Sequence, residues 1–391
     1  MIPHVLGNIS KEDFLANYWQ QKPLVIRNAF PDFEMPFTAE ELAGLALDTD
    51  APSRMIIEHG LPPANKPWQV KLSPFTDEDF TTLPNTHCTF LVNDLEHYIP
   101  ELGNLIEPFR FIPDWRIDDL MVSYAEDQGS VGPHNDEYDV FLIQGKGKRR
   151  WKIITRDDYE PALVPNLPIA LLNEFEADEE WLLDTGDMLY LPPNMPHYGI
   201  AEGACFTFSV GFRAPQTVEL VQSWLESFSK EPEFKQRFTD ADRKLQENSG
   251  EISQADLASM TQLIQSAIDK QLPNLSTFLG KHLTETRGEP PETNRAEINT
   301  PLSSQTFNQS MIEEGDYERE SWLRMAYIEA KQSLHFFADG HHIELPSNLK
   351  PDIQELCENY YFSHESLKTL KKNTDFATLF GTLIHEGGIH R

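Results

Sequence analysis

Cysteine is almost missing from this chain: Cys88, Cys205 and Cys357 are the whole supply in 391 residues, scattered and odd in number. That count excludes a disulfide framework or a finger-type metal cluster and fits a reducing compartment. Basic residues are scarce as well, 32 Lys and Arg against 63 Asp and Glu, for a formal charge of −31. So acidic a surface argues against nucleic acid or an anionic membrane as direct partner and favours a basic protein, although solubility alone would also account for it. No stretch approaches the ~20 consecutive apolar residues that cross a bilayer. The start, MIPHVLGNISKEDF, lacks the basic head and apolar core of a signal peptide, so a cytoplasmic protein with no membrane partner is expected. What the chain does have is length and, at 39% hydrophobic, material for two or three packed domains.

Its chemistry concentrates in GPHNDEYDVFLIQGKGKRRW, from Gly132 to Trp151. His134 and Asp136 are two apart, and on a strand such residues point the same way, roughly 7 Å apart at Cα, with Asn135 facing away. The run Val140 to Ile143 is apolar, Gly145-Lys146-Gly147 reads as a turn, and Arg149 and Trp151 follow it on one face. A second motif, LDTGDMLYLPPNMPHYG, sends a Gly186-Asp187 turn into a short strand, Met188 to Leu191, with prolines stiffening the exit that presents His197. His-x-Asp alone is weak evidence and is more often a surface pair. Combined with a Pro-His exit 63 residues after His134, it gives two imidazoles and a carboxylate, the set that holds non-haem Fe(II) and leaves other positions open.

The first half of the chain otherwise reads as follows. Ser10 and Asp13 resemble a capping box before a short helix whose Phe14, Leu15, Tyr18 and Trp19 form an apolar stripe. Leu24 to Ile26 is a strand and Thr38 to Ala46 a helix. Asp48 to Phe80 is loop-rich, with a strand at Trp68 to Leu72. Phe90 to Asn93 is ambiguous, and a helix is expected within Leu95 to Phe109. Strands at Leu120 to Tyr124, Asp139 to Gln144, Arg149 to Thr155, Trp181 to Leu183, Met188 to Leu191 and Cys205 to Phe212 are short and antiparallel in character. They favour a small barrel or double-stranded β-helix of the cupin or jelly-roll class.

These motifs resemble the JmjC-type oxygenases that depend on 2-oxoglutarate and Fe(II). DWRIDDLMVSYA, GPHNDEYDVFLIQGKGKRRW and SVGFRAP, with the amino-terminal FLANYWQQKPLVIRN, are similar to the bacterial ribosomal oxygenases that hydroxylate an arginine of ribosomal protein L16. The resemblance implies His134, Asp136 and His197 as iron ligands, 2-oxoglutarate and O2 as cosubstrates, and Arg149 as the partner of the distal carboxylate. A guanidinium can hold a carboxylate through two parallel hydrogen bonds, and strand alternation separates Arg149 from Lys148 and Arg150. A solvated basic cluster is the plainer reading of the same three residues. Ser123 falls where a family serine helps hold that carboxylate, although a hydroxyl bonded to neighbouring backbone would look the same. Tyr138, Asp119 and Asp139 are candidates to hold an arginyl side chain, and either aspartate could instead be a surface residue or steady Arg116.

After Pro215 the character changes. Val218, Leu220, Val221, Trp224, Leu225 and Phe228, then Leu257, Met260, Leu263, Ile264, Ala267 and Ile268, recur at helical spacing. Residues 216–285 are therefore expected to be helical, following the catalytic domain of 1–215. The intervening EPEFKQRFTDADRKLQENSGE could be helix or loop. Broad apolar faces suit pairing with a second copy, as the resemblance implies, or packing on the chain's own barrel. Thr286 to Gln305 reads as a linker. In 300–391 a hairpin turning at Asp339-Gly340 lies among helical patterns at Ile353 to Tyr361 and Ser363 to Leu370, which looks like a small winged helix. Few basic residues lie near those helices, so a structural or protein-binding role is favoured over DNA. His341-His342, His385 and His390 read as surface histidines. Two other function classes use the same features. A cupin-like metal-binding protein or isomerase would not need Arg149, and an acidic adaptor would not need the metal. Within the oxygenases, N-demethylation is the alternative reaction.

Overall fold

The computed structural model describes residues 5–59, 68–156, 159, 162–286, 315–370 and 372–391, in two compact units, the first made of the chain up to Ala214 with Glu320–Trp322 and the second of the remainder from Pro215. The first unit holds, in order, α1 (Lys11–Asn17), β1 (Leu24–Ile26), α2 (Ala39–Asp48), β2 (Ser53–Glu58), β3 (Trp68–Leu72), α3 (Asp77–Thr81), β4 (Cys88–Val92), α4 (Gly103–Ile106), β5 (Ile117–Ala125), β6 (Val140–Ile153), β7 (Glu179–Leu183), β8 (Met188–Leu191) and β9 (His197–Phe212). The strands form one antiparallel system in the order β1-β8-β6-β9-β5-β4-β2-β3, with β7 also on β6, the double-stranded β-helix the strand spacing implied.

Alternation along these strands separates two interiors. Phe141 and Ile143 of β6, Met188 and Tyr190 of β8, Leu120 and Val122 of β5 and Phe206, Phe208, Val210 and Phe212 of β9 pack with Phe14 of α1 and Leu42 and Ala46 of α2. Their neighbours Val140, Leu142, Trp151 and Ile153 pack with Leu183, Leu189 and Leu191 on the other face. Covered on both faces, VFLI and MLYL read as unbroken apolar runs. On the inner face of β5 and β9 the alternate positions are Asp119, Met121, Ser123, Thr207, Ser209 and Gly211, and these line a cavity.

Several elements differ from expectation. Gly145-Lys146-Gly147 is not a turn, because β6 runs through it and absorbs the register shifts against β9 between Gln144 and Lys146 and between Lys146 and Lys148. Gly147 sits at φ +72°, and a Cβ there would lie 2.3 Å from the Ala204 carbonyl oxygen, so glycine permits a bulge where it was read as a break. β2 crosses the stretch taken as loop. The helix expected within Leu95 to Phe109 is cut to the single turn of α4 flanked by 3₁₀ turns, with Pro100 and Pro108 preventing a continuous ladder. Ser10 caps α1 as expected, its Oγ accepting from the Asp13 amide at 3.0 Å, but Leu15 of the supposed stripe is 40% exposed.

The second unit carries α5 (Thr217–Phe228), α6 (Gln254–Gln271), α7 (Leu275–Thr284), β10 (Tyr317–Arg319), β11 (Met325–Glu329), β12 (Ser333–Ala338), β13 (His341–Pro346), α8 (Lys350–Glu358), β14 (Tyr361–Phe362), α9 (His364–Leu370), α10 (Thr374–His385) and β15 (Ile389–His390). The polar segment after α5 is irregular apart from a 3₁₀ turn at Pro232–Lys235. β12 and β13 pair from Ser333↔Pro346 to Ala338↔His341 through a tight turn in which Asp339 and Gly340 both have positive φ, the geometry an Asp-Gly pair favours. α7 packs on this hairpin so closely that a Cβ on Gly280 would lie 2.4 Å from the Phe337 ring. His342 is not a lone surface histidine, since its Nε2 lies 2.8 Å from His335 Nδ1. The expected linker, apart from Thr286, lies outside the described residues.

Candidate active site

His134 and His197 are brought together by the backbone before their side chains meet. The His134 amide donates to the His197 carbonyl at 3.0 Å and the His197 amide returns the bond to the His134 carbonyl at 2.8 Å, an isolated antiparallel bridge. The Asn194 amide then donates to the Asp136 carbonyl at 2.6 Å, tying the proline-rich exit to the first motif. His134 and Asp136 are therefore not successive residues of a strand. Only His134 bridges, and Asn135, expected to face away, lines the same cavity.

The side chains converge. His134 Nε2 is 3.7 Å from Asp136 Oδ1, and His197 Nε2 is 3.7 Å from Asp136 Oδ2. Each imidazole is turned by a backbone carbonyl that accepts from its Nδ1, Gly132 for His134 and Met195 for His197, both at 2.9 Å. With the proton held on Nδ1, each Nε2 presents a lone pair toward the carboxylate, a repulsive arrangement unless a cation sits among them. Burial pushes His197 down to about 4, with neighbouring His134 adding to the shift and Asp136 opposing it, which keeps the imidazole neutral as a metal ligand must be. Two imidazoles and a carboxylate are the donors that suit a ferrous ion.

Deeper in the same cavity, of about 390 Å³, lies Arg149. Its side chain is buried, Nη2 lies 3.6 Å from Cys205 Sγ, and Nε has no hydrogen-bond partner among the described residues. No carboxylate pairs with it among the described residues, whereas its outward neighbours Lys148 and Arg150 pair with Asp184 and Glu180. A buried cation without a counter-ion is costly, so this guanidinium fits an anionic ligand. Ser123 lines the cavity from β5 and makes no hydrogen bond to backbone among the described residues, unlike the locally satisfied hydroxyl it could have been.

Tyr138 and Asp119 also line the cavity. A Cβ on Gly211 would sit 3.0 Å from Asp119 Oδ1 and 4.0 Å from Tyr138 Cε2, so glycine leaves room between them. Burial pushes the Asp119 carboxyl up to about 7 and Asp94 adds to this, against the Asn93 amide, which donates to Asp119 at 2.9 Å. Asp139 is a correction. It is fully buried away from the cavity, accepting from Tyr190 Oη at 2.6 Å and Gln20 Nε2 at 2.9 Å, and it steadies Arg116 at 3.4 Å. Sequence reading missed Thr207, Ser209, Met121 and Arg54 as lining residues. Alternation from Ser123 and Cys205 would have found the first three, but Arg54 lies on the unrecognised β2. It also missed a second group of possible donors, Asp94, Glu96 and His97. There the buried Glu96 accepts from the Leu120 amide at 3.0 Å and its carboxyl is raised well above the ordinary range by burial.

The barrel and its donor set are those of a JmjC domain, and the family model of that description matches residues 104–220. A ROXA-like winged-helix model matches 268–390, taking in α7, and an AraC-like ligand binding domain model matches 175–273. The chain is 30% identical to the ribosomal protein uL16 3-hydroxylase of Escherichia coli over 96% of both chains. It is 38% identical to a probable ribosomal oxygenase of Haemophilus influenzae over 66% of this chain, spanning 64% of that relative's length. The structure of E. coli YcfD superposes with a TM-score of 0.79 at 29% identity and 98% coverage of both chains. YcfD in complex with cobalt and 2-oxoglutarate superposes at 0.77, with 28% identity and the same coverage. The chain belongs to the JmjC-type 2-oxoglutarate-dependent ribosomal oxygenases.

Proposed function

We propose that this protein hydroxylates an arginine side chain of a basic ribosomal protein, the counterpart of L16 (uL16), using Fe(II), 2-oxoglutarate and O2. The observation that carries the reading is the pairing, in one cavity, of the His134, Asp136 and His197 donors with a buried Arg149 that has no acidic partner among the described residues. His134 Nε2, an Asp136 oxygen and His197 Nε2 hold the iron. Arg149 takes the distal carboxylate of the cosubstrate, with the Ser123 hydroxyl beside it. Bound there, iron, 2-oxoglutarate and O2 together supply the oxidising power that converts an unactivated C–H bond to C–OH, with succinate and CO2 as co-products. The protein orients the reactants and walls off water with Val140, Leu142 and Trp151. Asp119 accepts hydrogen bonds from the incoming guanidinium and Tyr138 supplies an aromatic wall. Succinate release from Fe(II)-loaded protein, measured with and without purified uL16, tests the reading: release that rises with uL16 supports it, release of formaldehyde would indicate demethylation, and no succinate release in the presence of uL16 would refute it.

A pH dependence follows from Asp119. With its carboxyl at about 7, Asp119 is ionised above that pH and protonated below it. Substrate KM should therefore fall as pH rises from about 6 to about 8, and Asp119→Asn should flatten that dependence. The stability sign runs the other way. Raised from 3.8 to about 7, the carboxyl favours the fold fully below the unfolded value and loses that contribution as pH rises through about 7. Asp119→Asn should thus raise the thermal midpoint at pH 8 relative to wild type, and an unchanged midpoint together with an unchanged KM profile would remove this role.

We also propose that the protein works as a homodimer in the cytoplasm and does not bind nucleic acid directly, the −31 charge supporting the last point. On α5, Val218, Val221 and Leu225 are 65%, 48% and 39% exposed, an apolar strip apart from Leu220 and Trp224, which are half-buried, and Phe228, which is buried. Replacing Val221 and Leu225 together by glutamate should halve the mass found by light scattering, and an unchanged mass would exclude this face.

A further inference from the structure

We propose that the indole N–H of Trp151 is a second donor in the cosubstrate cavity, giving its hydrogen bond to an oxygen of the bound diacid between Arg149 and His197. The proposal rests on the cosubstrate reading above. Trp151 is 3% exposed, lines the cavity, and its Nε1 has no hydrogen-bond partner among the described residues. Indole N–H can only donate, and buried donors of this kind almost always find an acceptor. The β6–β9 ladder sets its place: Arg149 faces Ala201, Trp151 faces Gly199 and Ile153 faces His197, so the indole stands midway between the guanidinium and the metal-side imidazole. The distances agree, with Arg149 Cζ 5.7 Å from the Trp151 ring and the His197 ring centroid 5.8 Å from it. A keto diacid with one end at the iron donors and the other at Arg149 must run along this ring.

The ring is also held in that place. A Cβ on Gly199 would lie 2.7 Å from the six-membered ring of Trp151, so the indole packs against the bare backbone of β9. Arg149 and Trp151, both lining the cavity, thus each carry a buried donor with no hydrogen-bond partner among the described residues. A neutral donor meeting a carboxylate makes one of the stronger hydrogen bonds and is directional, which distinguishes a dicarboxylate from a shorter or uncharged keto acid.

Site-specific replacement of Trp151 by the benzothiophene analogue of tryptophan deletes the N–H and keeps the shape, and Trp151→Phe is a coarser second variant. The full chain, loaded with Mn(II), is titrated calorimetrically with 2-oxoglutarate, and the Mn(II) affinity and unliganded thermal midpoint are measured alongside. The analogue is expected to weaken 2-oxoglutarate binding roughly tenfold. Mn(II) affinity and the unliganded midpoint should stay at wild-type values, because the N–H has no protein partner to lose. An analogue that binds 2-oxoglutarate as wild type does, or that loses only unliganded stability, overturns the proposal. Arg149→Ala separates the two levels. If it too binds as wild type, the cosubstrate reading has failed; if it alone weakens binding, only the role of Trp151 has.

Discussion

His197→Ala is expected to lower iron-dependent turnover by more than a hundredfold while the protein stays folded. Outer-shell partners of a metal site already cost roughly 10–100-fold when removed, and a direct ligand costs more. The fold should survive because the bonds that join the two motifs are made by the backbone of His134 and His197, which alanine retains. Loss of a buried imidazole leaves a cavity beside Trp151 and lowers the thermal midpoint by several degrees at most. His134→Ala and Asp136→Ala should behave alike, and metal affinity should fall in all three. Folded variants keeping more than a tenth of wild-type turnover would contradict the ligand assignment.

Arg149→Ala is expected to raise the KM for 2-oxoglutarate by about a hundredfold or more, since removing one member of a buried charge pair costs roughly 3–5 kcal/mol. In the unliganded protein the same substitution should be tolerated better than most deletions of a fully buried side chain. It removes a cation whose only hydrogen-bond partner among the described residues is a weak acceptor, Cys205 Sγ. The signature is therefore a near-normal unliganded midpoint with loss of the rise that 2-oxoglutarate confers on wild type. Arg149→Lys should fall between, keeping charge but not the two-pronged geometry. A KM unchanged in both variants would place the distal carboxylate elsewhere.

The candidate metal donors were legible in the sequence because each sits in a short motif of uncommon composition, even though a shared strand face does not describe His134 and Asp136. What joins them is a two-residue bridge across a long separation, which no local pattern encodes. Arg149 was legible because alternation survives the bulges of β6: Lys148, Arg150 and Lys152 reach acidic partners outside while Arg149 and Trp151 turn inward. The bulges themselves were not, since Gly-x-Gly serves equally for a turn. Asp119 and Asp139 looked interchangeable, yet one lines the cavity and the other is consumed by Tyr190, Gln20 and Arg116, partners contributed from distant parts of the chain. The loss of helix between Leu95 and Phe109 was readable in Pro100 and Pro108, and their weight was underestimated.

Incubating the purified full chain with Fe(II), 2-oxoglutarate and intact uL16 under isotopically labelled O2, followed by mass analysis of uL16, addresses the central claim most directly. The account predicts one labelled oxygen atom on a single arginine of uL16, absent when His197 is alanine. Consumption of 2-oxoglutarate with uL16 unchanged in mass, or labelling that persists in the His197→Ala protein, would contradict it.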